Sequence, residues 1–403
     1  MRRVPVVHLR KGHVQPVWAG HPWVYAQAIA RVEGDRPEPG DEVRVLDPQG
    51  NLLGRGFWSL RQAIPVRIVA REEESDLDGA GWLVDRLRGA LARRRAIGLP
   101  TEATDGFRLV HAEGDGVPGL VVDRFGGGAD GRGGVLAIQV GTAGLLRRAA
   151  VVTHALREVF APEAILDRTP VGSAKAEGFE AAPSLSSGAV EELRFRERGL
   201  SFALPTELGQ KTGYYFDQRD LRDRVEALAK GRRVLDGYCY VGSIGLAAAR
   251  GGATRVFALD DSLRAIEIGA RIARENGLSV DFERGDVRKR LPELAAKGDL
   301  FDLVVLDPPK LAPTRGDRDG AVHYMQRLVE TGCSVLAPGG LLAVSSCSQA
   351  LGMAELVRAV AIAARRRGRM ATVLERLGQG ADHPVPAAFP EGVYLSTVIA
   401  ELA

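Results

Sequence analysis

Residues Arg232–Asp260 read RRVLDGYCYVGSIGLAAARGGATRVFALD. The apolar run RRVLDGYC reads as a strand, the small-residue stretch SIGLAAARGG as a helix, and RVFALD as a second strand. Outward from this unit the alternation continues through SLRAIEIGARIARENG (262–277), VDFERGD (280–286), VRKRLPELAAKG (287–298) and FDLVVLDPP (301–309). A helix is expected over about 321–336, then the strand GGLLAVSSC (339–347), the amphipathic helix MAELVRAVAIAARRR (353–367), and the strands ATVLERLG (371–378) and GVYLSTVIAELA (392–403). Strand and helix taken in turn predict an α/β doubly wound parallel sheet. Two strands in succession at the end suit a sheet whose last strand inserts antiparallel.

Upstream the pattern changes. DEVRVLDPQGNLLGRGFWS (41–59) reads as strand, turn, strand, with the turn at Asp47–Gly50. Residues 1–72 are expected to form a small β-rich barrel, with the acidic run Glu72-Glu73-Glu74 leading outward as a linker. Residues 73–190 read as an α+β segment. It has a helix over Leu83–Ile97 and strands in FRLVHAEGDG, PGLVVDRFG and VLAIQV; a glycine-rich turn lies at 126–134. The helical LLRRAAVVTHALREVF (145–160) and AILDRT follow. Residues 191–403 form the third expected domain.

Composition narrows the function classes. With 403 residues, 45% of them hydrophobic, two or three globular domains are expected. No run of about 18 apolar residues indicates a membrane span, and the basic N-terminus lacks the apolar core of a secretion signal. Cys239, Cys333 and Cys347 make neither a disulfide framework nor a metal-ligand pattern, so a reducing cytoplasm is expected and no metal. Residues 1–71 hold eleven Lys or Arg against six Asp or Glu. That excess suits an RNA-facing module, because phosphate contacts supply sequence-independent affinity. The plainer reading is compositional, since arginine outnumbers lysine along the whole chain.

In open α/β sheets, ligands bind beyond the carboxyl ends of the strands. Asp236, Asp260, Asp286 and Asp307 all fall there. The first strand runs into Asp236-Gly-Tyr-Cys-Tyr-Val-Gly242-Ser-Ile-Gly245, which is not Gly-x-Gly-x-x-Gly, and its carboxylate would repel a pyrophosphate. It suits a cationic group such as the amino group of a methionine moiety. Asp260 can accept both ribose hydroxyls, and Asp286 can accept from an adenine exocyclic amine. The row therefore fits S-adenosyl-L-methionine better than a dinucleotide, and an NAD-linked oxidoreductase is disfavoured. The alternative for each aspartate is a helix cap.

Asp307-Pro308-Pro309-Lys310 has a lysine where methyltransferases of exocyclic amines commonly carry an aromatic residue. Carbon is then the favoured acceptor. Carbon 5 of a pyrimidine is a poor nucleophile until a thiolate adds to carbon 6, and an acid near N3 and N4 stabilises the charge that builds on the ring. Cys347, at the end of the fifth strand, is the candidate thiol, with Asp307 as the acid. The expected strand order sets the fifth strand beside the first and fourth. The competing reading of Cys347 is a small core hydrophobe, which is the reading adopted for Cys239 and Cys333.

The chain resembles the bacterial 23S ribosomal-RNA cytosine-C5 methyltransferases that carry an N-terminal PUA domain. The resemblance rests on HPWVYAQAIARVEG with GDEVRVLDPQGNLLGRGFWS, RLVHAEGDGVPGLVVDRFG, GQKTGYYFDQRDLR, LDPPK, SSCS and ADHPVPAAFPEGVYL, and runs from about His21 to Leu395. It implies a class I (Rossmann-like) methyltransferase sheet at the C-terminus, a β-barrel PUA domain at the N-terminus and a central α+β domain. It implies Cys347 as nucleophile, Asp307 as base-contacting acid, and Asp236, Gly242, Asp260 and Asp286 at cofactor positions. Phe216, Gln218 and Arg219 lie in a segment expected to border the cofactor. The implied partner is RNA, either 23S rRNA or a large-subunit assembly intermediate, with no membrane and with a homodimer as one oligomeric option.

The chain departs from that family at Leu311, where phenylalanine is usual. In the Arg-x-Tyr-Lys-x-x-Asn helix only Tyr324 is kept, beside Val322, Met325 and Leu328, and the cofactor loop carries Val241, Ser243 and Ile244. The second cysteine of the two-cysteine RNA enzymes is absent from Asp-Pro-Pro-Lys, so release by a second thiol is not available. Uracil carbon 5, an exocyclic amine, or an RNA-binding assembly role without turnover are the rival readings.

Overall fold

The computed structural model describes residues 3–403 except 62, 74, 180–183, 209–211, 311–317, 349 and 350. Glu74 of the expected linker, Lys211 and the departure at Leu311 therefore lie outside the described residues. The chain forms two compact units, Met1–Phe216 with Ala381–Gly392, and Asp217–Gly380 with Val393–Ala403.

In the first unit, residues 6–70 form a six-stranded sheet, antiparallel except where Val6–Leu9 runs parallel to Glu42–Leu46. Period-two burial along Glu42–Leu46 sends Val43 and Val45 into the core. The expected turn is closed by Asp47, whose Oδ1 accepts from the N–H groups of Gln49 and Asn51 at 2.8 Å each.

A four-stranded sheet follows, ordered Ala164–Asp167, Val135–Val140, Leu120–Phe125, Phe107–His111, with the helices Gly81–Ala96 and Ala149–Phe160 in its core. The single helix expected over 145–160 is two helices, Ala143–Arg147 and Ala149–Phe160, broken at Arg148. The Arg148 guanidinium stacks 4.2 Å over the Phe57 ring and donates to the Gly40 and Gly144 carbonyls. These contacts outweigh helix propensity at one residue. Glu192–Glu197 and Leu200–Pro205 form a hairpin that the sequence reading did not single out. Its turn residues Arg198 and Gly199 have φ of 51° and 83°, the two positive values of a type I′ turn.

The second unit is built on seven strands: β1 (Arg233–Gly237), β2 (Arg255–Asp260), β3 (Asp281–Arg284), β4 (Phe301–Leu306), β5 (Leu336–Ser346), β6 (Ala371–Leu377) and β7 (Ser396–Leu402). Their order is β3-β2-β1-β4-β5-β7-β6, and β7 inserts antiparallel between β5 and β6, as the paired terminal strands suggested. One expectation needs correction: β5 pairs with β4 and β7, and β1 lies one strand further away.

The helices are α1 (Arg219–Leu228), α2 (Ser243–Arg250), α3 (Leu263–Glu275), α4 (Val287–Ala296), α5 (Arg318–Ser334) and α6 (Met353–Arg366). Alternate residues of β4 separate the two faces of the sheet. Leu303 and Val305 join the core with α1 and α2, whereas Val304 and Leu306 join that with α4, α5 and α6. The strand order reverses between β1 and β4, which opens a crevice at their carboxyl ends.

Candidate cofactor and acceptor site

Asp236 sits one residue from the end of β1 and is fully buried. Its Oδ2 accepts from the Gly245 N–H at 2.8 Å, while Oδ1 is buried with no hydrogen-bond partner among the described residues. Burial, opposed by the Gly245 bond and reinforced by the charges of Asp307 and Asp260, pushes the Asp236 carboxyl up to about 7. A buried carboxylate with an open oxygen is the arrangement a cationic ligand group would complete.

Between β1 and α2 the loop is held in an uncommon conformation. Tyr238, Tyr240 and Gly242 all have positive φ, at 65°, 53° and 73°. Two tyrosines there are conformationally costly, and such cost is tolerated where surrounding contacts fix the backbone. The Tyr238 and Cys239 N–H groups both donate to the Leu259 carbonyl, and the Gly242 N–H donates to the Cys239 carbonyl at 2.7 Å. A Cβ on Gly242 would lie 2.5 Å from the Phe282 ring, so the close approach admits only glycine.

Asp260 ends β2. Its Oδ2 accepts from the Tyr240 N–H and its Oδ1 from the Ser262 N–H, each at 2.9 Å. It thereby ties the β1 loop to the start of α3, and burial raises its pKa. Each oxygen keeps a lone pair for a ribose hydroxyl.

Asp286 is the N-cap of α4, accepting from the Arg288 N–H at 2.9 Å, and also pairs with the Arg288 guanidinium. That hydrogen bond holds its carboxyl below the usual range. The capping alternative is thus realised at Asp286. Arg288 in turn lies 5.9 Å from the centre of the Tyr324 ring, and the Tyr324 hydroxyl is 3.3 Å from that of Tyr238.

Asp307 follows β4 and its N–H donates to the Gly237 carbonyl at 3.3 Å. Cys347 follows β5, in register with β4 through Leu306 and Val344. Cys347 is half-buried, whereas Cys239 and Cys333 are buried. Burial pushes the Cys239 thiol well above its ordinary value and Cys333 up to about 11, so both stay protonated at neutral pH. Cys239 packs with Ala258 and Ile266, and Cys333, near the end of α5, faces the core.

Gln218 is buried at the N-cap of α1 with its Oε1 lacking a partner among the described residues, and Arg219 is the first residue of that helix. Phe216 belongs to the first unit, where it packs against Phe125, Phe195 and Tyr214. Between Phe216 and Gln218 the sequence reading passed over Asp217. Its Oδ2 accepts from the Tyr394 hydroxyl at 2.8 Å. The departures Met325 and Leu328 are buried in the α5 core and Val322 packs against it.

These residues fit S-adenosylmethionine. The unpartnered buried oxygen of Asp236 would receive its ammonium, Asp260 at the end of β2 would accept from its ribose hydroxyls, and the turn at Gly242 would let the backbone come close. When bound, the cofactor supplies an electrophilic methyl group on a sulfonium.

Residues 7–71 match the PUA-like domain family, and residues 163–389 match the S-adenosylmethionine-dependent methyltransferase family. The ribosomal RNA large subunit methyltransferase I of Aeromonas hydrophila is 36% identical over 401 residues, 98% of each chain. That of Shewanella amazonensis is 35% identical over 98% of this chain and 99% of its own. Among solved structures, a SAM-dependent methyltransferase from Streptococcus mutans superposes with a TM-score of 0.80 at 16% identity, over 98% of this chain and 99% of that one. A methyltransferase complexed with SAH gives 0.81 at 17% identity over the whole of both chains. At such identities the superpositions speak to the fold, which is that of a class I methyltransferase. No helix among the described residues is long and apolar enough to cross a membrane. The extent and identity of the sequence matches settle the family: the chain belongs to the S-adenosylmethionine-dependent methyltransferases, in the group that contains the ribosomal RNA large subunit methyltransferases I.

Proposed function

We propose that the protein methylates carbon 5 of a cytosine in large-subunit ribosomal RNA, 23S rRNA in bacteria, with Cys347 as nucleophile and Asp307 as the acid that holds the base. The observation that carries this reading is the contrast among the three thiols. Cys347 alone of the three is partly exposed, directly after a strand that pairs with the one leading into Asp307. The names of the relatives support ribosomal RNA as the substrate.

In this mechanism the Cys347 thiolate adds to carbon 6 of the ring. Electron density moves to carbon 5, which would take the methyl carbon as the methyl–sulfur bond breaks and its electron pair stays on the departing neutral thioether. Asp307 stabilises the charge at N3 and N4. Water then takes the carbon 5 proton, the C–H electron pair restores the ring double bond, and the Cys347 sulfur departs as thiolate. Asp236 and Asp260 hold the cofactor's two ends throughout.

RNA carrying 5-fluorocytidine tests it, because fluorine cannot leave as the proton does. The enzyme should stall as a covalent adduct that mass spectrometry maps to Cys347. Cys239→Ala and Cys333→Ala should still form the adduct, and Cys347→Ala should not. An adduct on another residue, or full methylation by Cys347→Ala, would remove Cys347 from the chemistry.

A further inference from the structure

Trp18 closes the short helix Val14–Trp18 in the first unit and is 74% exposed, the highest value among the exposed large hydrophobic side chains. No ring contact or indole hydrogen bond to it is found among the described residues, so it contributes little to the fold. A tryptophan can bury some 150–250 Å², and leaving that area in water has no stabilising return.

Its backbone, by contrast, is fixed. The Arg71 guanidinium donates to the carbonyls of Val17 at 2.5 Å, Leu53 at 3.0 Å and His21 at 3.3 Å. The N–H groups of Ala19, Gly20 and His21 close onto Gln15, Val17 and Pro16. The indole is thus presented from a rigid support.

Along the chain, the charged residues that flank the ring are basic. Arg10, Lys11 and His13 are exposed on the turn that enters the helix, and the chain has no acidic residue between Arg3 and Val32. The first acid, Glu33, is already bound to His8 and Arg31. An exposed flat ring on a fixed backbone, with the Arg10 guanidinium and the Lys11 ammonium close by in the chain, is the chemistry that takes a base face and its phosphates.

We propose that Trp18 is a stacking platform for an unpaired base of the RNA substrate, with Lys11 and His13 on the flanking phosphates. This rests on the reading that the substrate is RNA, but not on which atom is methylated. It is specific to single-stranded segments, because a base inside a duplex offers no free face.

The test uses the full chain with two fluorescently labelled probes, a single-stranded oligo(A) and a fully paired RNA duplex of equal length. Trp18→Ala should weaken the single strand by roughly 5- to 100-fold and leave the duplex within about twofold. Trp18→Phe should keep most of the affinity. The wild-type indole emission should be quenched on adding the single strand, and that quench should shrink in Trp18→Phe, since Trp23, Trp58 and Trp82 are partly buried. Lys11→Ala should lower the salt slope by about one for both probes, a change that Trp18→Ala should not cause.

Unchanged single-strand affinity in a folded Trp18→Ala would overturn the proposal. So would unchanged RNA binding with a shift in oligomeric state by sedimentation, which would make this face a protein contact. Absence of 5-methylcytosine in RNA treated with the wild type would defeat the cytosine reading and leave these binding outcomes intact.

Discussion

Asp236 accepts the Gly245 N–H at 2.8 Å with one carboxylate oxygen and buries the other without a partner. The bond joins the end of β1 to the first turn of α2, so the glycine turn between them is closed on the acid. A carboxylate in that state is poorly solvated, and its pKa of about 7 records the cost. A bound ammonium group would remove most of it.

The pH dependence follows. The folded, cofactor-free protein holds a proton on Asp236 that the unfolded chain releases near 3.8. Stability should therefore fall as pH rises from about 3.8 to about 7, and level off above that. Cofactor binding needs the ionised form, so affinity should drop on the order of tenfold per unit below about pH 7. Calorimetry at pH 6 in buffers of different ionisation enthalpy should show proton release on binding. Asp236→Asn should bind weakly at every pH with that release abolished. A flat affinity profile in the wild type would exclude Asp236 as the ammonium partner.

Asp260→Ala should weaken both S-adenosylmethionine and its demethylated product. The loss of charge-assisted hydrogen bonds is worth about 1.5–3 kcal/mol, roughly tenfold or more in affinity. The substitution also frees the Tyr240 and Ser262 N–H groups, so the β1 loop should gain amide exchange. Unchanged affinity by titration would take Asp260 off the ribose.

Much of the catalytic sheet was legible because it is local. The continuous apolar run of β4, buried on both faces, the caps and the glycine turns are written in neighbouring residues, and so are the acids at strand ends. What was not legible depends on distant partners. The Asp217–Tyr394 bond spans 177 residues, and Arg148 breaks its helix for contacts on Gly40 and Phe57. Asp286 differs from these, since its partner Arg288 is two residues on and the cap it makes was the alternative reading of each strand-end acid. The grouping of 381–392 with the first unit, while the residues on either side of it in sequence belong to the second, has no local signal at all.

Gly242→Ala probes the shape of the cofactor loop. An alanine there must adopt a φ near 73° and place its Cβ against Phe282. The expected cost is about 1–3 kcal/mol of stability, read by urea unfolding, together with weaker cofactor binding. Glycine at the neighbouring Ser243, which has no such φ, should leave binding within a few fold. Normal binding by Gly242→Ala would mean that the loop relaxes freely.

Arg94 offers the sharpest test of what holds 381–392 in the first unit. Its guanidinium is buried, bonded bidentately to the buried Asp115 at 2.7 and 2.8 Å, and it donates further to the carbonyls of Arg108 and Asp382, each at 2.8 Å. Removing one partner of a buried pair strands the other, so Arg94→Met should cost about 3–5 kcal/mol. Some of that should be tempered by Arg93, which also reaches Asp115 at 2.9 Å. The double variant Arg94→Met with Asp115→Leu removes both charges and should be more stable than Arg94→Met alone. Because the Asp382 carbonyl loses its donor in both, proteolysis within 381–392 should quicken in both. A single variant as stable as the wild type, or a double variant less stable than the single, would show that the pair is not what secures this segment.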